Sequence, residues 1–441
     1  MSRLIWASLA TTLTVFAAGE PVTFNKEVLP ILQKNCQNCH RPGEVAPMSF
    51  LDYQSARPWA KAIKAAVVTG KMPPWFADAR YGHWANEKRL ADADIKTLAA
   101  WADGGALEGN AKDKSAPVQW TEGWNIKPDH IVSMPEPFPI PAKGILELTH
   151  FIVPSGFTKD TWITSIEIRP SDPSVVHHVV VQVIPHDPKV KYGEPIWTDK
   201  PRDELGDQIT KIKKRERTSL APRAVGGNLE AVYLPGGSSS TDYSQWGAAK
   251  LIPAGSDIYI GMHYTPNGKA TKDQTRVGFT LAKEEPTRRF ITFLPISASD
   301  EESFRIPAGA SNWGTGAEVV FNENAELVWF MPHMHQRGKD MTFKLTYPTG
   351  ESEVVLSVPK YNFAWQFDYV AAKPILVPKG TKMEITAHYD NSANNAFNPN
   401  PNKDVWWGEQ TWEEMMAGWF AVVVDRKLDP KKIVTYDEGT P

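Results

Sequence analysis

The stretch from Ala325 to Tyr347 reads AELVWFMPHMHQRGKDMTFKLTY. Its two ends, AELVWFM and MTFKLTY, are short runs rich in apolar, β-branched and aromatic residues, which are typical of strands. Similar runs occur in DTWITSIEI, VVHHVVVQVI, SDIYIGMHY and KMEITAHY, separated by Pro, Gly and Asn. Such short strands suit a β-sandwich better than a helical fold. We therefore expect β-sandwich structure from about residue 120 onward.

An internal similarity indicates two sandwiches in tandem. IPAGSDIYIGMHYTPNG and VPKGTKMEITAHYDNS share Pro-x-Gly, alternating apolar positions and then His-Tyr. The sequence thus predicts one sandwich over 120–290 and a second over 291–441. Residues 187–250 lack a strand pattern and contain KIKKRER and GGSSS, so we interpret them as a long insertion in the first sandwich.

Helical patterning precedes the strands. FNKEVLPILQKN, SARPWAKAIKAAVVTGK and LADADIKTLAAWADGG carry apolar residues at helical spacing, and Gly104-Gly105 closes the last of them. These segments predict an all-α domain over residues 20–110. A chain of 441 residues has room for several such domains.

The first residues have the layout of an export signal. Arg3 precedes an apolar run from Leu4 to Phe16, and small residues follow. We expect a signal peptide at 1–19 and a periplasmic or secreted protein, with an uncleaved anchor as the alternative. No later apolar run has membrane-spanning length, so no stable membrane insertion is expected after cleavage. With 48 Lys+Arg against 51 Asp+Glu and no long basic stretch, the sequence gives no support to nucleic-acid binding.

The motif CQNCH contains both cysteines of the chain, Cys36 and Cys39, followed directly by His40. Two thiols at this spacing can form thioethers with one porphyrin while the histidine ligates its iron, which predicts one covalent haem c. A zinc knuckle would need a second ligand pair nearby, and a redox dithiol would not need His40. Haem attachment is the reading that uses all three residues.

The sixth iron ligand is expected in GKMPPWF. Met72 lies directly before Pro73-Pro74, which prevents helix continuation and holds the thioether in a loop. His83 is the alternative. Methionine ligation raises the haem potential relative to two histidines, which suits an electron carrier.

Further histidines occur in pairs. His333 and His335 are two apart, so in a strand they share a face and can chelate one metal. His177 and His178 are adjacent and need a bulge or a strand end to converge. His263 lies on the strand face opposite Ile258, Ile260 and Met262 and can turn toward a site. Imidazole-rich sites suit copper or zinc, whereas a thioether ligand favours copper.

Four segments resemble the copper type II, ascorbate-dependent monooxygenases, the family of peptidylglycine and dopamine hydroxylases. They are VVHHVVV, MHYTPNG, PHMHQRGKDM and WGEQTWEEMMAG, and the resemblance covers about residues 130–441. The N-terminal part looks like the cytochrome c module fused to bacterial relatives. The resemblance implies an all-α cytochrome c domain followed by two tandem all-β, jelly-roll-like sandwich domains, each holding one copper.

The resemblance also implies a role for each ligand. His177, His178 and His263 match the electron-transferring copper, and His333, His335 and Met415 match the copper that binds oxygen and substrate. Met415 is matched because it follows Glu414 in EEMM. Met416 and His388 remain alternatives for that position.

Two features depart from the family. Animal members are disulfide-rich, whereas both cysteines here belong to the haem motif. Peptide-hydroxylating members read a substrate carboxylate with an arginine two residues before His-x-His, and this chain has Met331 there. A less anionic substrate than a glycine-extended peptide is expected.

The implied activity is hydroxylation of a small organic substrate with O2. Electrons would enter through the haem from a periplasmic donor, replacing or supplementing ascorbate. A non-oxygenating electron-transfer or copper-binding protein is the alternative. A zinc hydrolase is disfavoured, because no general-base carboxylate stands in a recognised arrangement beside either histidine pair.

Overall fold

The computed structural model describes residues 20–120, 123–146, 148–197, 229–234, 237, 239–296, 304–408 and 410–436. The expected signal peptide lies outside the described residues, as do residues 198–228 of the expected insertion. The chain forms two compact units. The smaller unit comprises the residues up to Asn38 together with Met48–Pro73 and Leu90–Val118, and the rest belongs to the larger unit.

The smaller unit is helical, as predicted. A π-helical turn at Phe24–Val28 leads into α1 (Leu29–Asn35), followed by α2 (Tyr53–Ala56), α3 (Ala60–Val68) and α4 (Asp92–Asp103), with 3₁₀ turns at Arg57–Trp59 and Ala111–Asp113. The apolar stripes converge on a core that includes Phe24, Leu98 and Trp101. Within the described part of the chain, no helix combines the length and apolarity needed to cross a bilayer.

The larger unit is built from β-strands, which confirms the predicted β-rich region. The strands are β1 (His130–Ser133), β2 (Phe138–Ile140), β3 (Thr149–Pro154), β4 (Thr161–Arg169), β5 (Val176–Ile184), β6 (Ile196–Trp197), β7 (Leu229–Tyr233), β8 (Ser240–Asp242), β9 (Ala248–Ile252), β10 (Asp257–Tyr264), β11 (Thr271–Asp273), β12 (Arg276–Leu281), β13 (Arg288–Phe293), β14 (Arg305–Ile306), β15 (Trp313–Phe321), β16 (Ala325–His333), β17 (Gly338–Thr346), β18 (Ser352–Val358), β19 (Tyr369–Val377), β20 (Lys382–Tyr389), β21 (Val405–Trp406), β22 (Ala417–Asp425) and β23 (Val434–Tyr436). Short 3₁₀ turns lie at Pro173–Val175, Tyr243–Trp246 and Pro430–Lys432.

Three large sheets and two small ones, the pairs β2-β11 and β14-β21, contain these strands. A nine-stranded sheet runs in the order β1-β12-β4-β9-β13-β22-β16-β19, with β8 paired to β4. Five-stranded sheets of order β6-β3-β10-β5-β7 and β18-β17-β20-β15-β23 complete the two sandwiches. The nine-stranded sheet is continuous because β13 pairs in parallel with β9 and antiparallel with β22.

The two sandwiches therefore share a sheet. On β22, Trp419 and Ala421 belong to the first core, the apolar cluster of the first sandwich. Phe420 and Val422, which alternate with them, belong to the second core. A strand buried on both faces reads as a continuous apolar run, as AGWFAVVV does. Complete burial of a side chain such as that of Phe420 stabilises the fold by about 1.5–3 kcal/mol.

Residues 74–89 add to the β19 edge of the shared sheet, although the sequence grouped them with the helical domain. Trp84 bridges to Ala371 and its ring is buried in the second core. The Ala85 N–H donates to the Val370 carbonyl over 2.8 Å. The chain that follows Met72 thus packs on the second sandwich.

Candidate metal centre

His177, His178 and His263, here called the first trio, converge at the ends of β5 and β10. One ring nitrogen from each lies within 4.8 Å of the others. His263 pairs with His178, and the next pair is Tyr264 with Val176, so His177 is the extra residue of a bulge. The bulge that the adjacent histidines required is therefore present, and it places both rings on the same side of the strand end.

The strand face of His263 is as predicted. Ile258, Ile260 and Met262 are fully buried in the first core. His263 lies on the opposite face, where its Nε2 is 3.1 Å from the Thr411 hydroxyl oxygen. Because the two-residue period of β10 separates apolar and ligating side chains, His263 is available to the site without breaking the core.

Burial keeps the first trio uncharged. Desolvation, reinforced by His333, lowers the pKa of His177 to about 4. Desolvation and neighbouring histidines lower the pKa of His178 and of His263 well below the usual histidine range. At neutral pH the rings are neutral imidazoles, the form that binds metal.

His333 and His335, here called the second pair, lie at the end of β16 with ring centroids 5.3 Å apart. The Nδ1 of His333 is 2.8 Å from the Gln366 amide oxygen, and the Nδ1 of His335 is 3.0 Å from the Glu413 carbonyl oxygen. A proton on each Nδ1 satisfies these acceptors and leaves each Nε2 as a ligand. Desolvation lowers the pKa of His333 to about 4 and that of His335 to about 3.

Glu414 fastens the loop that carries the second pair. Its carboxyl oxygens accept the backbone N–H groups of His335, over 2.9 Å, and of Arg337, over 2.6 Å. The Arg337 guanidinium is 3.9 Å away, and the carboxyl is completely buried. Desolvation outweighs that cation and raises the pKa of Glu414 to about 8. The side chain therefore acts chiefly as a neutral acceptor for two buried donors.

The structure separates the three candidates for the remaining ligand. Met415 packs against the first core, as does Ala417, the strand partner of His333. Met416 is completely buried in the second core. His388 lies on β20, where its Nδ1 is 2.6 Å from an Asp340 carboxylate oxygen and its side chain is 38% exposed. Ligation by Met415 remains a prediction, with Met416 and His388 as its alternatives.

The first trio and the second pair are neighbours. The ring centroids of His178 and His333 are 6.2 Å apart. Phe363, from the loop between β18 and β19, stacks on His177 with centroids 4.8 Å apart. Five histidines from both sandwiches, three of them buried and two half-buried, thus form one cluster.

Sequence reasoning missed the side chains that support this cluster. Gln366, Thr411 and Phe363 lie on loops, and no periodicity marks a loop residue as the partner of a distant ring. Glu414 was considered only as the residue before Met415, although a carboxylate directly before the apolar run MMAGWFAVVV was a usable signal.

The predicted haem ligands occupy the following positions. Cys36 caps the C-terminus of α1 in the smaller unit and is half-buried. Cys39 and His40, also half-buried, belong to the larger unit, where burial raises the pKa of the Cys39 thiol. Met72 follows α3 and donates its N–H to the Ala66 carbonyl over 3.2 Å. The alternative ligand His83 is exposed on the segment beside β19. Their ligation of haem stays a prediction.

No protein-family model matches the chain, and no curated protein matches it. Among solved structures, the chain is similar to a protein from Eubacterium rectale, with 11% identity over 63% of this chain and 69% of that chain and a TM-score of 0.19. It is similar to PNGF-II with 9% identity over 67% of this chain and 60% of that chain and a TM-score of 0.22. It is similar to a structure of infectious bursal disease virus, strain Gx, with 9% identity over 69% of this chain and 72% of that chain and a TM-score of 0.17. Likenesses at these TM-scores support no conclusion about fold or function.

Proposed function

We propose that this chain is an exported haem- and copper-containing monooxygenase that hydroxylates a small organic substrate with O2, with electrons entering through a c-type haem. The observation that carries the proposal is the convergence of five histidines, singled out as ligands of two copper ions, in one largely desolvated and uncharged cluster. The proposed domains are a cytochrome c domain and two jelly-roll-like sandwiches.

The donor set fits copper. The first trio would hold one ion through nitrogen alone, and the second pair with Met415 would hold the other. A thioether ligand favours the cuprous ion, the state that meets dioxygen. Bound copper would supply one-electron redox chemistry and a binding position for O2.

The protein's own groups would orient the ligands and exclude water. The Gln366 amide and the Glu413 carbonyl fix the rings of His333 and His335 by accepting from Nδ1. Phe363 covers His177 and lies 6.1 Å from the His335 ring. Fixed rings in a desolvated pocket hold a metal in an environment that needs little rearrangement.

The packing of residues 74–89 supports electron entry through the haem. Trp75, three residues after Met72, packs on Tyr369 and Phe367 with ring centroids 4.9 Å and 6.4 Å away. Phe367 directly follows Gln366, the hydrogen-bond partner of His333. Within the larger unit, Trp75 therefore packs on the residue next to the one that supports His333.

Cys39 and the loop that contains Phe367 are both near Lys88. The Lys88 ammonium is 4.5 Å from the centroid of the Phe367 ring. Burial lowers the pKa of Lys88, and the nearby Cys39 and Asp368 oppose that shift. The predicted haem-attachment thiol and the loop that supports His333 are thus both close to one lysine.

The surroundings of the second pair suit a substrate without a carboxylate. Met331, which stands where peptide-hydroxylating members have arginine, is buried in the first core. Arg337, two residues after His335, donates to the Asn391 side-chain oxygen over 2.9 Å and to the Trp412 carbonyl over 3.1 Å. Its guanidinium is committed to the fold, so we expect an apolar or neutral substrate.

Metal analysis of the haem-loaded protein tests the proposal. We expect two coppers per haem in the wild type and a loss of about one in His335→Ala, since each ion depends on its own imidazoles. Met415→Ala should weaken retention of the same ion. His388→Ala is the matched control and should retain both coppers, because this histidine is bonded to Asp340.

Oxygen consumption coupled to a hydroxylated product separates the proposal from a non-oxygenating copper or electron-transfer protein. The wild-type protein should couple oxygen consumption to formation of a hydroxylated product, and His335→Ala should not. Zinc in both sites, or copper without oxygen consumption for any small organic substrate, would contradict the proposal.

A further inference from the structure

Tyr259 and His150 lie side by side on two neighbouring strands of the first sandwich. In the pairing of β3 with β10, Ile152 is opposite Tyr259 and His150 is opposite Gly261. The Tyr259 hydroxyl is hydrogen-bonded to the His150 Nδ1. The two rings are tilted by only 23°, with centroids 5.1 Å apart. A phenol therefore has an imidazole nitrogen as a direct hydrogen-bond partner.

Gly261 leaves room for these two rings. It lies between Tyr259 and His263 on the same face of β10. A Cβ at this position would lie 3.1 Å from the Tyr259 Cε1 and 3.4 Å from the His150 Nδ1. Glycine weakens the interior of a strand and often marks a place where other groups approach closely. Its position here fits the close approach of a phenol and an imidazole.

Packing alone does not explain the burial of His150. The residue is only 4% exposed, and its buried Nε2 has no hydrogen-bond partner among the described residues. Desolvation lowers the pKa of His150 to about 4, so the ring is neutral at neutral pH. A buried polar group without a partner costs about 1–3 kcal/mol. Because an apolar side chain would avoid this cost, we expect the imidazole to have a chemical role.

A second tyrosine beside a histidine has different surroundings. The Tyr192 hydroxyl oxygen is 3.0 Å from the His186 Nδ1, but it donates to an Asp257 carboxylate oxygen over 2.7 Å. Tyr192 is 43% exposed, whereas Tyr259 is half-buried against a fully buried histidine. Tyr192 is therefore a control that has the same residue types without the desolvated imidazole.

We propose that Tyr259 and His150 form a redox pair, in which a strong one-electron oxidant takes an electron from Tyr259 while the phenolic proton moves to the His150 Nδ1. The phenolic O–H bond breaks and an N–H bond forms, giving a neutral tyrosyl radical and an imidazolium. An electron from a one-electron donor restores the phenol, and the proton returns to its oxygen. Because burial disfavours the imidazolium, only a strong oxidant drives the reaction.

The position of the pair suggests its use. Tyr259 and His263 are four residues apart on one face of β10, which is about 13 Å along the strand. A strong oxidant formed at the histidine cluster without substrate would then take its electron from Tyr259 instead of from the imidazole ligands. This use of the pair rests on the proposed function, whereas the redox chemistry of the pair does not.

Electron paramagnetic resonance after photo-oxidation tests the pair. The sample is the full-length, haem-loaded protein, freed of Cu(II) by a chelator so that copper signals do not overlap. Light and persulfate generate a ruthenium(III) tris-bipyridine oxidant, and the sample is frozen rapidly. The wild type should give a tyrosyl radical signal, which Tyr259→Phe should lose and Tyr192→Phe should retain. No tyrosyl signal in the wild type, or an equal signal in Tyr259→Phe, would overturn the proposal.

His150→Gln separates proton transfer from packing. A glutamine amide can hydrogen-bond to the phenol but cannot take up its proton, so the radical signal should be lost although Tyr259 is present. A full signal in His150→Gln would refute the role of His150. If this variant does not fold, high-field spectra of the wild type decide, since a hydrogen bond from an imidazolium shifts the g-tensor of a tyrosyl radical. An unshifted g-tensor would also refute that role.

These measurements use neither copper nor O2, so they are independent of the monooxygenase proposal. Copper-dependent hydroxylation without a radical at Tyr259 would overturn the redox pair alone. A radical at Tyr259 in a protein that hydroxylates no substrate would contradict the monooxygenase proposal and leave the pair standing.

Discussion

The first trio and the second pair are held by different parts of the fold. In the first trio, His178 and His263 are directly paired across β5 and β10, and a bulge adds His177. Backbone pairing between two neighbouring strands thus sets the geometry of the first trio. The second pair lies where β16 ends, and side chains and carbonyls from two loops orient it. A site whose ligands are paired across two strands needs few supporting side chains, whereas a site whose ligands are oriented by loops depends on each supporting group.

Loss of Glu414 should reveal this dependence most strongly. Glu414→Ala leaves the buried N–H groups of His335 and Arg337 without their acceptor. Each such donor costs about 1–3 kcal/mol, so we expect a loss of about 2–6 kcal/mol in the free energy of unfolding. Denaturant titration measures this loss, and copper analysis should show depletion of the second site before the first.

The control for Glu414 is Glu318, whose exposed ion pair with Lys382 should contribute at most about 1 kcal/mol. Equal destabilisation by Glu318→Ala and Glu414→Ala would mean that the loop is not fastened in the way described.

Substitution of the neighbouring methionines Met415 and Met416 should affect stability and metal binding differently. Met416→Ala removes a completely buried side chain from the second core and should cost about 2–5 kcal/mol in unfolding free energy, with copper content unchanged. Met415→Ala should change stability less, because Met415 is only half-buried, but should lower retention of Cu(I). Copper content measured anaerobically and unfolding free energy measured by chemical denaturation distinguish the two variants. Copper loss in Met416→Ala alone would assign the thioether to Met416.

Acid should destabilise the metal-free protein through both groups alike. The pKa values of His177 and His333 are lowered to about 4, whereas an unfolded histidine titrates near pH 6.5. Between these values the unfolded state binds more protons, so unfolding free energy falls as pH decreases from about 6.5 to about 4. The loss per histidine is of order 3 kcal/mol over that window.

Denaturant titrations at several pH values measure this effect. His177→Phe and His333→Phe should each remove a similar part of the pH dependence, because burial is the common cause. A pH dependence confined to one of the two variants would show that the groups differ in burial as well as in support.

The smallest effects are expected from substitutions of Gln366 and Thr411, the side chains that support the two groups. Gln366→Leu should weaken copper binding at the second pair about 10–100-fold, the usual effect of losing a side chain that orients a ligating histidine. Thr411→Val should affect the first trio less, because the strand pairing already fixes His263. Chelator competition measures both affinities. A larger effect of Thr411→Val would reverse the comparison drawn between the two groups.

Much of the centre was predictable because its signals are local. The His-x-His spacing of His333 and His335 and the alternation around His263 follow from the two-residue period of a strand. The requirement for a bulge at His177 follows from the same geometry, and the structure contains that bulge. The loop residues Gln366 and Thr411 were not predictable, since a loop has no period and their partners lie 33 and 148 residues away.

Part of the sandwich arrangement was also predictable from the sequence, and part was not. Sequence patterns predicted strands beyond residue 120 and helices before residue 110, but they suggested two separate sandwiches with a boundary after residue 290. That boundary falls within β13, a strand of the shared sheet. The apolar run of β22 was visible, but a buried run does not reveal which cores its two faces join.

By itself, the sequence determined the haem-type motif, the faces of the strands and the identity of the clustered histidines, because residue type and short-range spacing fix these properties. Only the tertiary structure decided that the first trio and the second pair would meet. Their meeting depends on β13, β22 and β16 burying both faces between two cores, and such long-range packing is not encoded in any single stretch of the chain.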